Sequence, residues 1–200
     1  MNLLILYPSE FLSFSKFERK LRKILSEKTP ETISFLSDPN KFIEKYVAGY
    51  FPEISQNHIS ETGFEQVTHA VIFDDGEEFL EEVFDLKSRG VLVRRLKIKI
   101  TRVINIKKDT EYKGLTSSES YEYIGRGSYW GNPYSMYKDG DDRCEVIRKF
   151  KYDFDFEKFP NKDKSKVYSL AGKRLGCFCK PEACHGDVLA DFLNSWDDGE

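Results

Sequence analysis

The segment from Val67 to Ile106 restricts the fold more than any other part of the chain. Val67–Phe73 reads VTHAVIF, a short and mostly apolar run that stops at Asp74-Asp75-Gly76. A run of that length bounded by turn residues is a buried strand rather than a helix. Glu77 to Ser88 follows with acids in its first turn and Lys87 near its end, charges that suit the two poles of a helix. Gly90 stops that helix. From Val91 to about Ile106 the pattern alternates. Leu96, Ile98, Ile100, Ile104 and Ile106 mark one face, and Arg95, Lys97, Lys99, Val103 and Lys107 the other. Strand, helix and strand joined by short connections form a βαβ unit, which implies a parallel sheet with helices on its faces.

The residues before it fit the same class. Leu3–Tyr7 reads as a buried strand ending at Pro8-Ser9, and Phe14–Ser26 as a basic amphipathic helix with Phe17, Leu21, Ile24 and Leu25 on its apolar side. Ser9 is placed to cap that helix. Thr32–Leu36 is a second strand, and Asn40 is placed to cap a helix running to about Tyr50. Phe51–Gln66 is weakly patterned, with a short helical segment near Glu65. The expectation is an α/β protein: a parallel-sheet domain over 1–108, a polar linker over 109–120, and a small α+β module over 121–200. The tail Asp197-Asp198-Gly199-Glu200 reads as frayed and solvated.

A net charge of −3 argues against bulk electrostatic attraction to nucleic acid, although Arg95, Lys97 and Lys99 leave a local basic face open. No apolar run reaches membrane-spanning length, and MNLLILYPSEF lacks the basic start of a secretory signal. Four cysteines without such a signal point to reduced thiols, hence a cytoplasmic protein.

Three of those cysteines crowd one place. Cys177, Cys179, Cys184 and His185 lie between a strand expected over Arg174–Phe178 and an amphipathic helix expected over Gly186–Trp196. Three soft sulfurs and an imidazole at a strand-to-helix turn suit a tetrahedral zinc site. They equally suit a reactive thiolate at a helix N-terminus, with Cys184 or His185 at a reacting centre. Burial of the cysteines as small apolar groups is the third reading, and the sequence does not choose among them.

The second dense stretch is YIGRGSYWGNPY, Tyr123–Tyr134. Arg126 offers a fork for phosphate, Trp130 a stacking surface, Asn132 a donor–acceptor pair, and Ser128 a hydroxyl, among glycines that permit close backbone approach. Lys173, in Gly172-Lys173-Arg174, adds positive charge before the cysteine strand. The competing reading is a structural loop in which Trp130 plugs the core and Asn132-Pro133 makes a turn. Asp74-Asp75-Gly76 likewise suits either a ligand at the end of a parallel strand or a plain turn.

These residues carry a resemblance. Ile124-Gly125-Arg126, Ser128, Trp130-Gly131-Asn132-Pro133, Arg143, Gly172-Lys173, Leu175, Cys177, Cys179, Pro181, Cys184-His185-Gly186 and Leu189 resemble the family called domain of unknown function 4326, frequent in phages and bacteria. Phe178 stands where that family usually has Trp. Thr68–Gly76 and the helix and strand after it resemble SLOG-type Rossmann-like nucleotide-binding domains, without their glycine-rich phosphate loop. The resemblance implies a phage-type accessory protein, in a host cytoplasm if phage-encoded. It would bind, and in one version process, a nucleotide, nucleoside or nucleotide-derived small molecule in its C-terminal module. The alternative is a non-catalytic, zinc-stapled module that contacts a protein or nucleic acid. The reaction, if any, and the oligomeric state are not legible in the sequence.

Overall fold

The structure, a computed structural model, describes residues 1–60, 63–136 and 140–199. The chain divides into two compact units, one of residues 1–98 with the segment from Ser195 on, the other of residues 99–194.

The first unit is built on five strands: β1 (Asn2–Leu6), β2 (Thr32–Phe35), β3 (Ser55–His58), β4 (His69–Asp74) and β5 (Leu92–Lys97). Their order is β3-β2-β1-β4-β5, and every pairing is parallel. Helices α1 (Phe14–Leu25), α2 (Phe42–Tyr50) and α3 (Leu80–Ser88) connect them. Leu3, Leu4, Ile5 and Leu6 are all buried, as a central parallel strand covered on both faces requires. One cluster holds Leu4, Leu6, Ala70 and Ile72 with Val83 and Leu86 of α3. Elsewhere in the unit, Phe17 stacks on Phe73 with centroids 4.9 Å apart, and Tyr7 stacks on Phe42 at 5.5 Å. Each such side chain contributes roughly 1.5–3 kcal/mol on burial.

Several local expectations are corrected. Ser13, not Ser9, caps α1 by accepting from the Lys16 amide. Asp38, not Asn40, satisfies the first turn of α2, accepting from the amides of Ile43 and Glu44. Asn40 instead donates through Nδ2 to the carbonyls of Ser9 and Phe11, pinning the loop after β1. The exposed strand SQNH (β3) has no apolar pattern to announce it, since it is an edge held by backbone pairing and by His58 set edge-on to Phe35 at 5.8 Å. The Asp74-Asp75 pair makes the turn: Asp74 accepts from the Gly76 amide and pairs with Arg95 at 2.7 Å, and Asp75 accepts from Glu77 and Glu78. The C-terminal residues are docked rather than frayed, with Asp198 paired to the buried Lys16 at 2.5 Å and Asp197 to Arg19 at 2.6 Å. Glu200 lies outside the described residues.

The single strand expected from Val91 to Ile106 is two. The ladder of β5 ends where the Ile98 amide donates to the Asp74 carbonyl, and β6 (Arg102–Asn105) belongs to the second unit. There β6, β8 (Arg174–Cys177) and β7 (Tyr121–Tyr123) pair in parallel in that order, with an isolated antiparallel bridge between Ser117 and Glu122. Helices α4 (Arg143–Asp155) and α5 (His185–Asn194) accompany it, and Ile124, Trp130, Phe150, Phe154, Leu175, Leu189 and Leu193 fill its core. The linker expected over 109–120 lies inside this unit. Tyr112 stacks on Tyr121 at 4.8 Å, and the amide of Tyr123 donates to the Thr116 carbonyl.

Two devices set helix α5. At its far end buried Asn194 accepts from the Thr101 amide at 2.8 Å and donates to the Thr101 carbonyl at 3.0 Å. At its start Gly186 lets the helix approach so closely that a Cβ there would sit 2.4 Å from Ile124 Cδ1 and 3.1 Å from a Val103 methyl. Sheet and clamp together fix where the Cys184–His185 corner stands.

Candidate functional site

The central strand β8 ends at Cys177, and the chain turns through 178–183 into α5. Side chains from two other elements hold this turn. Asn105, at the end of β6, donates through Nδ2 to the carbonyls of Phe178 and Lys180. Arg143, opening α4, donates to the Ala183 carbonyl at 3.2 Å. Asp187 then closes the helix start by accepting from the Cys184 amide at 2.8 Å and pairing with Lys180 at 2.7 Å. Cys184 Sγ itself accepts from the Gly186 amide at 3.4 Å, a sulfur in the position of a helix cap.

The turn brings sulfur and nitrogen together. Cys177, Cys184 and His185 are buried, and their ligand atoms all lie within 4.8 Å of one another. Cys184 Sγ stands 3.6 Å from His185 Nδ1, and Cys177 Sγ stands 3.5 Å from Cys179 Sγ. His185 Nε2 is 2.9 Å from the Ile124 carbonyl, an acceptor, so Nε2 carries the proton and Nδ1 presents its lone pair to the sulfurs. The Cys177 thiol is lowered to about 5, chiefly because the Cys184 thiol donates to it. Donation to that thiolate, with burial, pushes Cys184 far up. Burial lowers His185 and keeps it neutral. Burial raises Cys179, with Cys184 and Arg143 acting the other way. Within the cluster the lowered thiol is that of Cys177, and the raised ones are those of Cys184 and Cys179.

This donor set can hold a metal ion. A tetrahedron with metal–sulfur bonds near about 2.3 Å and metal–nitrogen bonds near about 2.0 Å has edges of roughly 3.8 Å between sulfurs and roughly 3.5 Å between sulfur and nitrogen. The observed 3.5 and 3.6 Å separations are close to those edges. The Nε2–H bond to Ile124 is the outer hydrogen bond that orients a metal-bound imidazole. Cys179 is the one expected ligand outside the mutually close set, and it is half-buried where the others are buried.

The cluster lines a concave pocket of about 190 Å³. Arg126 and Asn132 line it together with Cys177, Cys179, Cys184 and His185, so the two dense stretches of the sequence meet there. The other assigned residues fall elsewhere. Trp130 is 4% exposed and packs edge-on to Phe154 in the core, so its face is not available to stack on a base. Ser128 folds its own loop, donating through Oγ to the Gly125 carbonyl at 2.8 Å. Lys173 pairs with Glu122 at 3.4 Å and is not part of the pocket wall. Asn132 is engaged as a bracket, donating to the Val146 carbonyl and accepting from the Tyr134 amide. Gly131 serves packing, since a Cβ there would lie 2.6 Å from the Gly125 carbonyl oxygen. Sequence reasoning did not assign a site role to Arg143, Tyr134 or Phe178, all of which line the pocket. Phe178 is 50% exposed, an aromatic ring between two cysteines that solvent can reach. Its place in C-x-C was the available signal.

A parallel sheet of order β3-β2-β1-β4-β5, followed by a small parallel module with a Cys/His corner, defines a two-unit Rossmann-like α/β protein. The chain belongs to the minimal SLOG domain family, which matches residues 1–104. Residues 104–195 match the family described as domain of unknown function (DUF4326). Over 73 residues the chain is 43% identical to an uncharacterized 12.4 kDa protein in the nrdA-td intergenic region of enterobacteria phage T4; the match covers 36% of this chain and 65% of the phage protein. No solved structure gives a significant match. Among the described residues no helix is long and apolar enough to cross a membrane.

Proposed function

We propose that the C-terminal module holds a zinc ion on Cys177, Cys179, Cys184 and His185 and binds a phosphorylated, nucleotide-class small molecule in the adjoining pocket. The observation that carries this reading is the convergence of Arg126 and Arg143 with the Cys/His cluster in one cavity. Two arginines lining the same pocket as the sulfurs favour a ligand with negative charge at one end, and a guanidinium fork matches phosphate oxygens two at a time. Phe178, not Trp130, is the ring exposed to stack on a base or sugar. A volume of about 190 Å³ is below the roughly 300–1,000 Å³ of pockets that enclose a drug-sized ligand, so the pocket takes one end of a nucleotide rather than a dinucleotide. In the first unit the loop after β1 lacks the glycines of a phosphate cradle, and Tyr7 and Phe11 are buried there.

When bound, zinc would staple the turn between β8 and α5 and place a positive ion beneath the pocket. Calorimetry with nucleoside 5′-monophosphates tests the ligand reading. Arg126 is exposed, so Arg126→Ala should leave melting unchanged while weakening binding by about 1.5–3 kcal/mol, roughly ten- to 150-fold. An unchanged affinity, or no binding of any phosphorylated compound, refutes it. Metal analysis of protein purified without added zinc should find one zinc per chain, and none in Cys177→Ser.

A further inference from the structure

The four donors of the Cys/His corner are not equivalent. Three are locked. Cys177 ends a strand paired on both sides, with its carbonyl accepting from the Ile106 amide. Cys184 is held by the Gly186 amide and by Asp187, and His185 by the Ile124 carbonyl. Cys179 sits within the turn, where its carbonyl accepts from the Glu182 amide and its sulfur stands 3.5 Å from that of Cys177. Its sulfur is the half-buried one, it faces the pocket, and it falls outside the group of donors that are mutually close.

We propose that Cys179 is an exchangeable fourth ligand of the metal, and that an oxyanion of the pocket's ligand takes its coordination position. This rests on the metal reading above. A closed site of three thiolates, a neutral imidazole and a divalent ion carries one negative charge, and two guanidiniums stand beside it. On exchange the metal–sulfur bond to Cys179 opens with its electron pair left on sulfur, and a lone pair of the incoming oxygen forms the new metal–oxygen bond. No electron or proton is gained or lost. The released thiolate stays beside Arg143, which offsets the charge that water would otherwise have to solvate. Three fixed protein ligands with one open position is the arrangement of zinc sites that act on a ligand, whereas purely structural sites are closed by four.

The test uses full-length protein loaded with cobalt(II), whose thiolate charge-transfer absorption scales with the number of bound sulfurs, and inorganic phosphate as probe. Cys177→Ser and Cys184→Ser should weaken metal binding on the order of several hundred-fold, an equal share of a structural site's affinity. Cys179→Ser should weaken it by about tenfold or less, and its charge-transfer band should fall by about one third, from three thiolates to two. Saturating phosphate should lower the wild-type band by the same third and leave the Cys179→Ser band unchanged. The proposal is overturned if Cys179→Ser loses metal as completely as Cys177→Ser. It is equally overturned if calorimetry shows phosphate bound while the wild-type spectrum does not move. If phosphate does not bind at all, the pocket reading fails, and the exchangeable ligand is decided by the metal affinity of Cys179→Ser.

Discussion

The clamp between Asn194 and Thr101 allows a stability prediction whose size follows from the structure. Asn194 is 5% exposed and Thr101 is 1% exposed, and the amide side chain satisfies both backbone groups of Thr101. Asn194→Ala leaves a buried N–H and a buried C=O without partners. Each costs about 1–3 kcal/mol, so the pair comes to roughly 2–6 kcal/mol. Water reaching the last turn of α5 recovers part of this, which places the expectation near ~3 kcal/mol. With a urea m-value of about 1.5 kcal/mol/M for a unit of this size, the midpoint of the second unit should fall by roughly 2 M. Fluorescence reads it directly. The chain has 2 Trp, of which Trp130 lies in the core of the second unit, so a Trp196→Phe background isolates that core. A shift under about 0.5 M, less than ~1 kcal/mol, would mean that the clamp does not hold the helix.

Three further outcomes follow from the packing. Gly186→Ala forces a methyl to within 2.4 Å of Ile124 Cδ1, and should destabilise the second unit by about 1–3 kcal/mol and lower metal occupancy, read by melting and metal analysis. Asp198→Asn removes the carboxylate from Lys16, whose side chain is 6% exposed; next to a chain end that can readjust, the loss should be about 1–3 kcal/mol from the first unit, against no change if the tail were free. On the proposed zinc site, chelation should lower the melting temperature reported by Trp130 and leave the first unit's transition in place, whereas a single unshifted transition would remove the metal from the account of stability.

The sequence alone was sufficient for the class of fold. The run of Leu3–Tyr7, the VTHAVIF strand and the helix before Gly90 carry local periodicity that has one architectural solution, a parallel sheet, and β4 and β5 do pair in parallel. It also sufficed to mark Tyr123–Tyr134 and Cys177–His185 as the dense stretches, because glycines crowd the first and cysteines the second as they do nowhere else in the chain. What periodicity could not show is which sheet a strand joins. The alternation from Leu96 to Ile106 continues across the boundary at Ile98, since a half-buried strand has period two in either sheet. Thr101 breaks it there through bonds to Asn194, Leu170 and Gly172, partners about 70 to 90 residues away that leave no local trace. The same non-locality decided the site. Trp130 and Arg126 are four residues apart in one loop, yet the tight turn folded by Ser128 and Gly131 sends the indole into the core and leaves the guanidinium in the pocket. Arg143 reaches the cysteine turn from another helix, and the tail carboxylates find Lys16 and Arg19 across nearly the whole chain. Residue types announce which chemistry is present, because that is a property of each side chain. Which of them face the same cavity depends on backbone bonds and close contacts between segments far apart in sequence, and only the tertiary structure contains those.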